Sequence, residues 1–169
     1  MESWQIMGYE HVNNESLEDL FQNQYGKAIE KIIGSRPIVT KDFYPGNGDQ
    51  YTIYTSPQQN SYVVDKYNKA WKVVAKFNIS QMPGCCGVAV FHHCEVMEEF
   101  QRKGLGSLLH ELRLDIAKLN KYGMVVCTTL DTNKIEEKIL KKYDWIADGF
   151  FVNPKTKNKV QHWYKRLYV

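Results

Sequence analysis

The chain has 169 residues, of which 43% are hydrophobic and 24% are charged. These values are typical of a folded globular protein, so we expect one domain over residues 1–169 and exclude disordered, collagen-like and fibrous classes. The longest uncharged apolar run covers residues 84–91, far short of the ~20 residues that a membrane-spanning helix needs. No secretory signal is visible, so we expect a cytoplasmic protein without a membrane partner.

Charge and cysteine content narrow the class further. Residues 1–84 carry 8 basic and 9 acidic side chains, whereas residues 85–169 carry 14 and 10. An anionic ligand is therefore expected in the second half, although this excess is too small to require nucleic acid. The four cysteines, two of them adjacent at Cys85 and Cys86, do not form the spaced pattern of a disulfide framework, so we expect reduced thiols.

The first half of the chain predicts one helix followed by strands. Apolar residues at mostly helical spacing indicate a helix over residues 15–33, with Ser16 as its cap and Gly34 as its end. A turn follows at residues 45–48. Aromatic and β-branched stretches then predict strands at residues 51–55, 62–67 and 70–79, the last two joined by a turn at Asn68 and Lys69.

The second half predicts alternating strands and helices. A rich apolar run at residues 87–97 indicates a central strand, and a leucine stripe at residues 105–122 indicates a helix that Gly123 ends. The remaining predicted elements are a strand at 124–130, a helix at 133–142, and strands at 145–152 and 160–168. This order predicts an α/β (α+β) fold with a mixed, largely antiparallel sheet flanked by helices.

Residues 96–106 carry the clearest chemical signal. An apolar strand there passes through a polar turn into an amphipathic helix that begins with Gly104 and Gly106. The first N–H groups of such a helix have no acceptor within it, and glycines let a phosphate approach them closely. The turn is neither a Walker loop nor the Gly-x-Gly-x-x-Gly fingerprint of dinucleotide-binding proteins. It predicts an anion site of another kind.

The segment Gln101-Arg-Lys-Gly-Leu-Gly106 resembles the Gln/Arg-x-x-Gly-x-Gly/Ala signature of the GNAT superfamily, the acyl-CoA-dependent N-acyltransferases. Val96 stands five positions before it, where that family has a valine-like strand residue, and Asn133 opens a later helix as in the family. The resemblance implies a GNAT-like sheet whose central strands splay apart. It also implies acetyl-CoA as co-substrate and an amine, small-molecule or protein, as acceptor.

The resemblance further implies how the co-substrate is held. Backbone amides of residues 102–107 bind the pyrophosphate, and the pantetheine arm pairs with residues 95–97 like an added strand. An amide near Val96 or Met97 polarises the thioester carbonyl, and Asn133 touches the arm from the far side. The residues predicted to bind the cofactor are Val96, Met97, Gln101, Arg102, Lys103, Gly104, Leu105, Gly106, Ser107 and Asn133.

Acyl transfer to an amine needs a base, and His92 is the leading candidate. It stands nine residues before Gln101, where some members of the family place a catalytic histidine, and its ordinary pKa near 6.5 suits the task. On an extended strand His92, Cys94 and Val96 share one face, so we expect His92 and Cys94 to line the same approach to the thioester. The alternative is that His92 only donates a hydrogen bond within the sheet.

The acid that protonates the leaving thiolate is harder to assign. Members of the family often carry a tyrosine for this purpose, but the corresponding position holds Leu140. Tyr143, Cys127 or water could serve instead, or the thiolate could leave unassisted. The predicted catalytic set is therefore His92, Cys94 and Tyr143.

Other functions compete for the same residues. A zinc site at Cys85, Cys86 and residues 92–94 is disfavoured because extended chain separates the two groups by roughly 20 Å, and we expect no metal. The lysines at positions 155, 157 and 159 could form a nucleic-acid patch, although a solvated hairpin turn is favoured. A module that binds CoA without catalysis is a third possibility. We expect an N-acetyltransferase, monomeric or homodimeric.

Overall fold

The computed structural model describes residues 17–55 and 71–168. Within these ranges the strands are β1 (Pro37–Tyr44), β2 (Gly48–Thr55), β3 (Lys72–Gln81), β4 (Val88–Phe91), β5 (Glu95–Val96), β6 (Met124–Leu130), β7 (Ile146–Val152) and β8 (Lys159–Arg166). The α-helices are α1 (Gly26–Ile33), α2 (Leu105–Leu119) and α3 (Lys134–Lys142). A π-helical turn at Phe21–Tyr25 leads into α1. The predicted Ser16 cap, strand at residues 62–67 and turn at Asn68 lie outside the described residues.

The strands form one sheet in the order β1-β2-β3-β4-β6-β8-β7, with β5 also paired to β3. Every pair is antiparallel except β4 with β6. This arrangement confirms the predicted mixed, largely antiparallel fold. The parallel pair ends at Val90 and Val126, after which β6 continues beside β8 alone. The sheet therefore opens between β5 and the second half of β6, as the splayed strands of the prediction require.

The structure differs from the prediction at β1 and at the end of α2. The sequence pattern does not predict the strand β1, because its outer half is solvent-exposed, with Phe43 70% exposed, and so lacks an alternating apolar pattern. The helix α2 ends at Leu119 rather than at Gly123. Gly123 instead donates its N–H to the Gly87 carbonyl at 2.8 Å, which joins the starts of β6 and β4.

The predicted central strand at residues 87–97 is interrupted, and this break shapes the site. Phe91 pairs with Ile79 on β3, whereas Glu95 pairs with Lys76. The segment from Phe91 to Glu95 advances four residues while β3 advances three, from Ile79 to Lys76. The extra residue is a β-bulge. Because the bulge reverses which face later residues occupy, the predicted common face of residues 92, 94 and 96 is wrong.

The core lies between the sheet and the helices α1 and α2. Its fully buried side chains include Phe21, Ile29, Phe77, Leu112 and Ile116. They come from both halves of the chain, so the helix before β1 and the helix after β5 share one hydrophobic cluster. None of the described helices has the length and hydropathy needed to cross a membrane.

Gly48 is the glycine that the fold constrains most tightly. Its φ is 73°, and a Cβ at this position would lie 2.6 Å from the Ile79 carbonyl oxygen and from Ser80 Cβ. Gly46, in the same turn, has φ 86°, but no atom of the described residues would lie within 4 Å of a Cβ there. Alanine at either position would be strained by the positive φ. At Gly48, but not at Gly46, its Cβ would also overlap with β3.

We therefore expect Gly48→Ala to lower the free energy of unfolding by about 3 kcal/mol and Gly46→Ala by about 1 kcal/mol. Urea denaturation of both variants measures the difference. Equal losses would mean that β3 moves away from the turn without cost.

Candidate active site

The predicted anion-binding turn connects β5 to α2. Gly104 occupies the N-cap position of α2 with φ 87°, and Arg102 is also left-handed at φ 61°. No side chain of the described residues caps this helix, so its first N–H groups have no side-chain acceptor. Left-handed residues within a turn bring neighbouring N–H groups to one concave side, an arrangement that binds anions. The turn thus keeps its donors available to a phosphate.

A cleft of about 670 Å³ lies against this turn, and we call it the outer cleft. The turn and the start of α2 form one wall, and one face of α3 forms the other, with Ile135, Lys138, Ile139 and Lys142. A Cβ on Gly106 would stand 3.4 Å from Ile139 Cδ1, so a larger side chain would fill the space between the walls. Three cations, Arg102, Lys138 and Lys142, line the outer cleft and favour an anionic ligand.

The backbone N–H groups of Val96, in β5, and of Met97, directly after it, point to different partners. Met97 donates its N–H to the Val74 carbonyl at 2.9 Å, while Val96 lies opposite Ala75. Successive residues of an antiparallel strand point their N–H groups in opposite directions, so that of Val96 faces away from β3 toward the opening in the sheet. Gln101 Nε2 donates to the Val96 carbonyl at 2.8 Å. Of the two amides predicted to polarise a carbonyl, Val96 keeps an open N–H and Met97 does not.

The outer cleft continues into an inner cleft of about 390 Å³, because Val96, Gln101 and Gly106 line both. Asn133 also lines the inner cleft, on the α3 side as predicted. Its side chain caps α3, accepting from the Glu136 N–H at 3.2 Å and donating to the Glu136 carboxylate at 3.0 Å. At its inner end the cleft reaches His110 and Arg113 of α2.

Arg113 is a buried cation. The residue is 5% exposed, its Nη2 donates to the His92 carbonyl at 2.5 Å, and its guanidinium carbon lies 4.5 Å from the centre of the Phe91 ring. Its Nε is buried and has no hydrogen-bond partner among the described residues. No carboxylate of those ranges forms a salt bridge with it. A guanidinium stays charged in proteins, so the inner cleft ends at a buried positive charge that the Glu136 carboxylate offsets only from beyond salt-bridge distance.

His110 is a buried neutral histidine one helical turn before Arg113. Burial, and secondarily the charge of Arg113, lowers its pKa to about 3. The Trp145 indole N–H donates to His110 Nε2 at 2.8 Å. Because an indole nitrogen only donates, Nε2 is unprotonated and the ring proton is on Nδ1. His110 therefore presents one N–H donor and stays uncharged at neutral pH.

A third cleft of about 460 Å³, the far cleft, lies on the other side of the opening in the sheet. It is lined by His92, Cys127 and His162, and it shares His93 and Glu136 with the inner cleft. The shared residues place the three clefts in a row from the turn, along α2, to the opening in the sheet, and we call this row of adjoining clefts the path. Such a path lets a long ligand enter at one end and meet a second molecule at the other.

His92 lines the far cleft and is held in a fixed orientation. Its Nε2 is hydrogen-bonded to Ser80 Oγ at 2.7 Å, and its backbone N–H donates to the Asn78 carbonyl. Burial lowers the pKa of His92, and the charge of Arg113 lowers it further. The ring is neutral at pH 7 and can accept a proton.

Two other predicted catalytic residues lie elsewhere. Cys94 lines the inner cleft rather than sharing the far cleft with His92, because the β-bulge separates them, and burial raises the pKa of its thiol. The Tyr143 hydroxyl is hydrogen-bonded to the Ser107 carbonyl and to the Glu111 carboxylate, and the residue lines none of the three clefts. Burial also raises the pKa of the Cys127 thiol to about 12. Leu140, at the usual tyrosine position, is in the core.

Of the residues in the competing predictions, the lysines and the two adjacent cysteines line none of the three clefts, whereas residues 92–94 do. The lysines at 155, 157 and 159 are exposed on the hairpin between β7 and β8, where Lys159 Nζ lies 4.0 Å above the Phe150 ring. Cys85 and Cys86 are exposed in the turn before β4. Across residues 17–55 and 71–168, no three His, Cys, Asp or Glu side chains are grouped closely enough to hold a metal ion.

Sequence reasoning missed the α3 wall and the inner end of the path. Residues 135, 138, 139 and 142 follow the i, i+3, i+4, i+7 spacing of one helix face, so a signal existed for a cleft-facing stripe. His110 and Arg113 gave no such signal, because they interrupt an otherwise apolar face. Lys103 and Met97, both predicted to bind the cofactor, line neither the outer nor the inner cleft.

The depressed pKa of His110 makes stability depend on pH. The pKa of His110 is near 3 in the folded protein and about 6.5 in the unfolded chain. Its contribution to the free energy of unfolding is therefore complete above pH 6.5 and is lost as the pH falls toward 3. Between pH 7 and pH 5 the loss is about 2 kcal/mol. We expect His110→Gln, which keeps an acceptor for Trp145, to lose less stability over this interval. Urea denaturation of both proteins at pH 7 and pH 5 measures the stability that each one loses. The same loss in the wild type and in His110→Gln would contradict a neutral His110.

Comparison with known proteins finds relatives by structure rather than by sequence. No protein-family model matches the sequence, and no curated protein matches it at a significant level. The structure is similar to an IAA acetyltransferase from Bacillus cereus, with a TM-score of 0.60, 10% identity, and 77% of this chain and 99% of that chain covered. It is also similar to the ribosomal-protein-S18-alanine N-acetyltransferase from Escherichia coli, with a TM-score of 0.52, 12% identity, and 85% of this chain and 77% of that chain covered.

An acetyltransferase of the GNAT family from Streptococcus pneumoniae is also similar, with a TM-score of 0.51, 16% identity, and 69% of this chain and 66% of that chain covered. The agreement includes the mixed sheet that the sequence predicted. The chain therefore has the fold of the GNAT acetyltransferases.

Proposed function

We propose that this chain is an N-acetyltransferase that transfers an acetyl group from acetyl-CoA directly to an amine, with residues 1–169 forming one acyltransferase domain. The observation that carries the proposal is the row of adjoining clefts from the uncapped start of α2, by way of the inner cleft, to the far cleft with His92. The GNAT fold supports it, and so does the signature at Gln101–Gly106.

The residues present fit CoA at the outer end of the path. A pyrophosphate has two negative charges and several acceptor oxygens, which match the free N–H groups of residues 104–107 and the cations Arg102, Lys138 and Lys142. The open N–H of Val96 lies farther along, where a thioester carbonyl would accept from it. Acetyl-CoA would supply the activated acyl group.

The proposed role of His92 is to hold the proton that the amine loses. An amine must be neutral to attack, and a neutral imidazole beside the far cleft can remove its proton directly or through one water. The hydrogen bond to Ser80 keeps the ring oriented. The two proposed reactants approach from opposite sides of the sheet, which makes a covalent acyl-enzyme unnecessary. Cys94 and Cys127 are weak nucleophiles because burial raises the pKa of each thiol.

The acceptor is proposed only as an amine. The far cleft is lined by both apolar and ionisable side chains, which does not select between a small molecule and a protein terminus. Two of the structurally similar acetyltransferases are named for very different molecules, IAA and a ribosomal protein.

Calorimetric titration with acetyl-CoA tests the binding step. We expect saturable heat for the wild-type protein and at least ten-fold weaker binding for Gly106→Val, because the new side chain enters the space beside Ile139. Ser107→Ala keeps its backbone N–H and is the matched control, with affinity within about two-fold. Absence of heat for the wild type would overturn the proposal. Heat without CoA release on a panel of polyamines, aminoglycosides, amino acids and peptides would support a binding module instead.

Replacing His92 tests the chemical step. We expect His92→Ala to lower kcat by about 10²-fold or more while leaving acetyl-CoA affinity nearly unchanged. In the wild type, activity requires the neutral ring, so kcat/KM should fall as the pH decreases through a pKa below 6.5. The variant should lack this acid limb. An unaltered rate would return His92 to a hydrogen-bonding role within the sheet.

A further inference from the structure

Two hydrogen-bond donors, Arg113 and His110, lie side by side at the inner end of the path. Arg113 and His110 are three residues apart on α2, so their side chains lie on one face of the helix. Both line the inner cleft beside Cys94 and Val96. Arg113 is nine residues after Gly104, roughly 14 Å along the helix axis from the proposed pyrophosphate turn. A ligand that reaches from that turn toward the opening in the sheet passes this pair.

Among the described residues no carboxylate contacts Arg113 directly, and the charge of Glu136 acts on it only from a greater distance. One hydrogen bond to the His92 carbonyl and the faces of Phe91 and Phe77 replace only part of the water that a guanidinium loses on burial. Its Nε has no partner among the described residues. Within that part of the chain, the cations Lys41, Lys72, Lys76, Lys134 and Lys141 each pair with a carboxylate. Arg113, far more buried than these, does not.

His110 adds a neutral donor next to this charge. The indole N–H of Trp145 fixes the tautomer, so the ring carries its proton on Nδ1. That N–H is the one donor that the ring can offer to a ligand. The ring is packed against Trp145, Phe91 and Tyr143, which holds its orientation. A fixed neutral donor and a fixed cation together form a site for a compact anion.

We propose that Arg113, with His110 beside it, stabilises the CoA thiolate that leaves during acyl transfer, in place of the proton donor that Leu140 cannot supply. This inference rests on the proposed function and names two further catalytic residues for it. Of the anions that such a path can bring to this point, the sulfur is favoured because it lies between the pyrophosphate end of CoA and the acyl group. The charge would therefore face the breaking bond.

The proposed step balances without another reactant. The amine nitrogen forms a bond to the carbonyl carbon, and the carbon–sulfur bond breaks with its electron pair moving to sulfur. The amine proton passes to His92 and then to solvent. The thiolate leaves as an anion beside Arg113 and takes a proton from water after release. A cation lowers the energy of this anion without having to give up a proton.

Other ionisable groups in the inner cleft act on the same sulfur. Glu95 forms a salt bridge with Lys76 at 3.4 Å, and Glu136 accepts from the Asn133 side chain. Both carboxylates oppose a thiolate, and so does a Cys94 thiolate if one forms. His93 lines the cleft from the bulge. The experiment must therefore isolate Arg113 from this surrounding negative charge.

The test measures the acidity of the CoA thiol when bound. Thiolate absorbs in the ultraviolet, so a pH titration of the wild-type complex with CoA, minus that with desulfo-CoA, reports the CoA thiol without the protein's own cysteines. We expect the pKa of bound CoA to be at least one unit lower than that of free CoA in the same buffer, a ten-fold shift toward the thiolate. No acyl transfer is needed for this readout.

Variants assign the shift to its source. Arg113→Met should remove most of the difference between bound and free CoA, and Arg113→Lys should retain part of it because the charge remains without the guanidinium fork. Glu136→Gln should lower the thiol pKa further, since a negative charge is removed. Lys138→Ala, which removes a cation from the outer cleft, should weaken CoA binding and leave the thiol pKa of the complex unchanged.

The outcomes separate this inference from the proposed function. If CoA binds and its thiol pKa is unshifted or raised in the wild type, the thiolate role is overturned, whether or not Arg113→Met folds. If CoA does not bind, the proposed function fails first. If Arg113→Met leaves the thiol pKa shifted but abolishes use of succinyl-CoA relative to acetyl-CoA, Arg113 serves a charged acyl group and the proposal is likewise overturned.

Discussion

The register between β3 and its two partners is the constraint on which the site depends. Ile79 opposes Phe91 and Lys76 opposes Glu95, so one residue is in excess on the partner side. Without that residue the strand would run straight from β4 to β5, and the parallel pairing with β6 could continue past Val90. The bulge ends that pairing. It opens the sheet and turns the N–H of Val96 into the opening.

The bulge also explains why Arg113 is held where it is. A carbonyl within a regular strand is used by a neighbouring strand, but the His92 carbonyl accepts from Arg113 Nη2. The side chain that reaches it comes from α2, and Phe91 and Phe77 support its guanidinium from the sheet. One irregularity thus separates His92 from Cys94, frees an amide and fixes a cation. Each of the three clefts is bounded by at least one of these residues.

The sequence is sufficient for the parts of this arrangement that local chemistry determines. Gly104 and Gly106 at the start of an apolar helix indicate an anion-binding turn without any knowledge of the remaining chain. Asn133 similarly indicates a helix start, and its side chain does cap α3. The bulge could not be predicted, because it depends on the pairing of β3 with a segment some fifteen residues away. Treating residues 87–97 as one straight strand therefore assigns His92 and Cys94 to the same face.

Burial explains the remaining wrong predictions. It also explains why two neighbouring side chains, His110 and Arg113, differ in charge. The sequence predicts Tyr143 in the site, but its hydroxyl binds the start of α2, which no local pattern signals. His110 and Arg113 lie in equally buried positions, yet a histidine can lose its proton there and a guanidinium cannot. Desolvation therefore makes His110 a neutral donor and leaves Arg113 charged at a cost in folding free energy. Since an apolar side chain of similar volume would avoid that cost, a buried cation without a salt bridge beside an open cleft supports the proposal that an anion occupies this cleft.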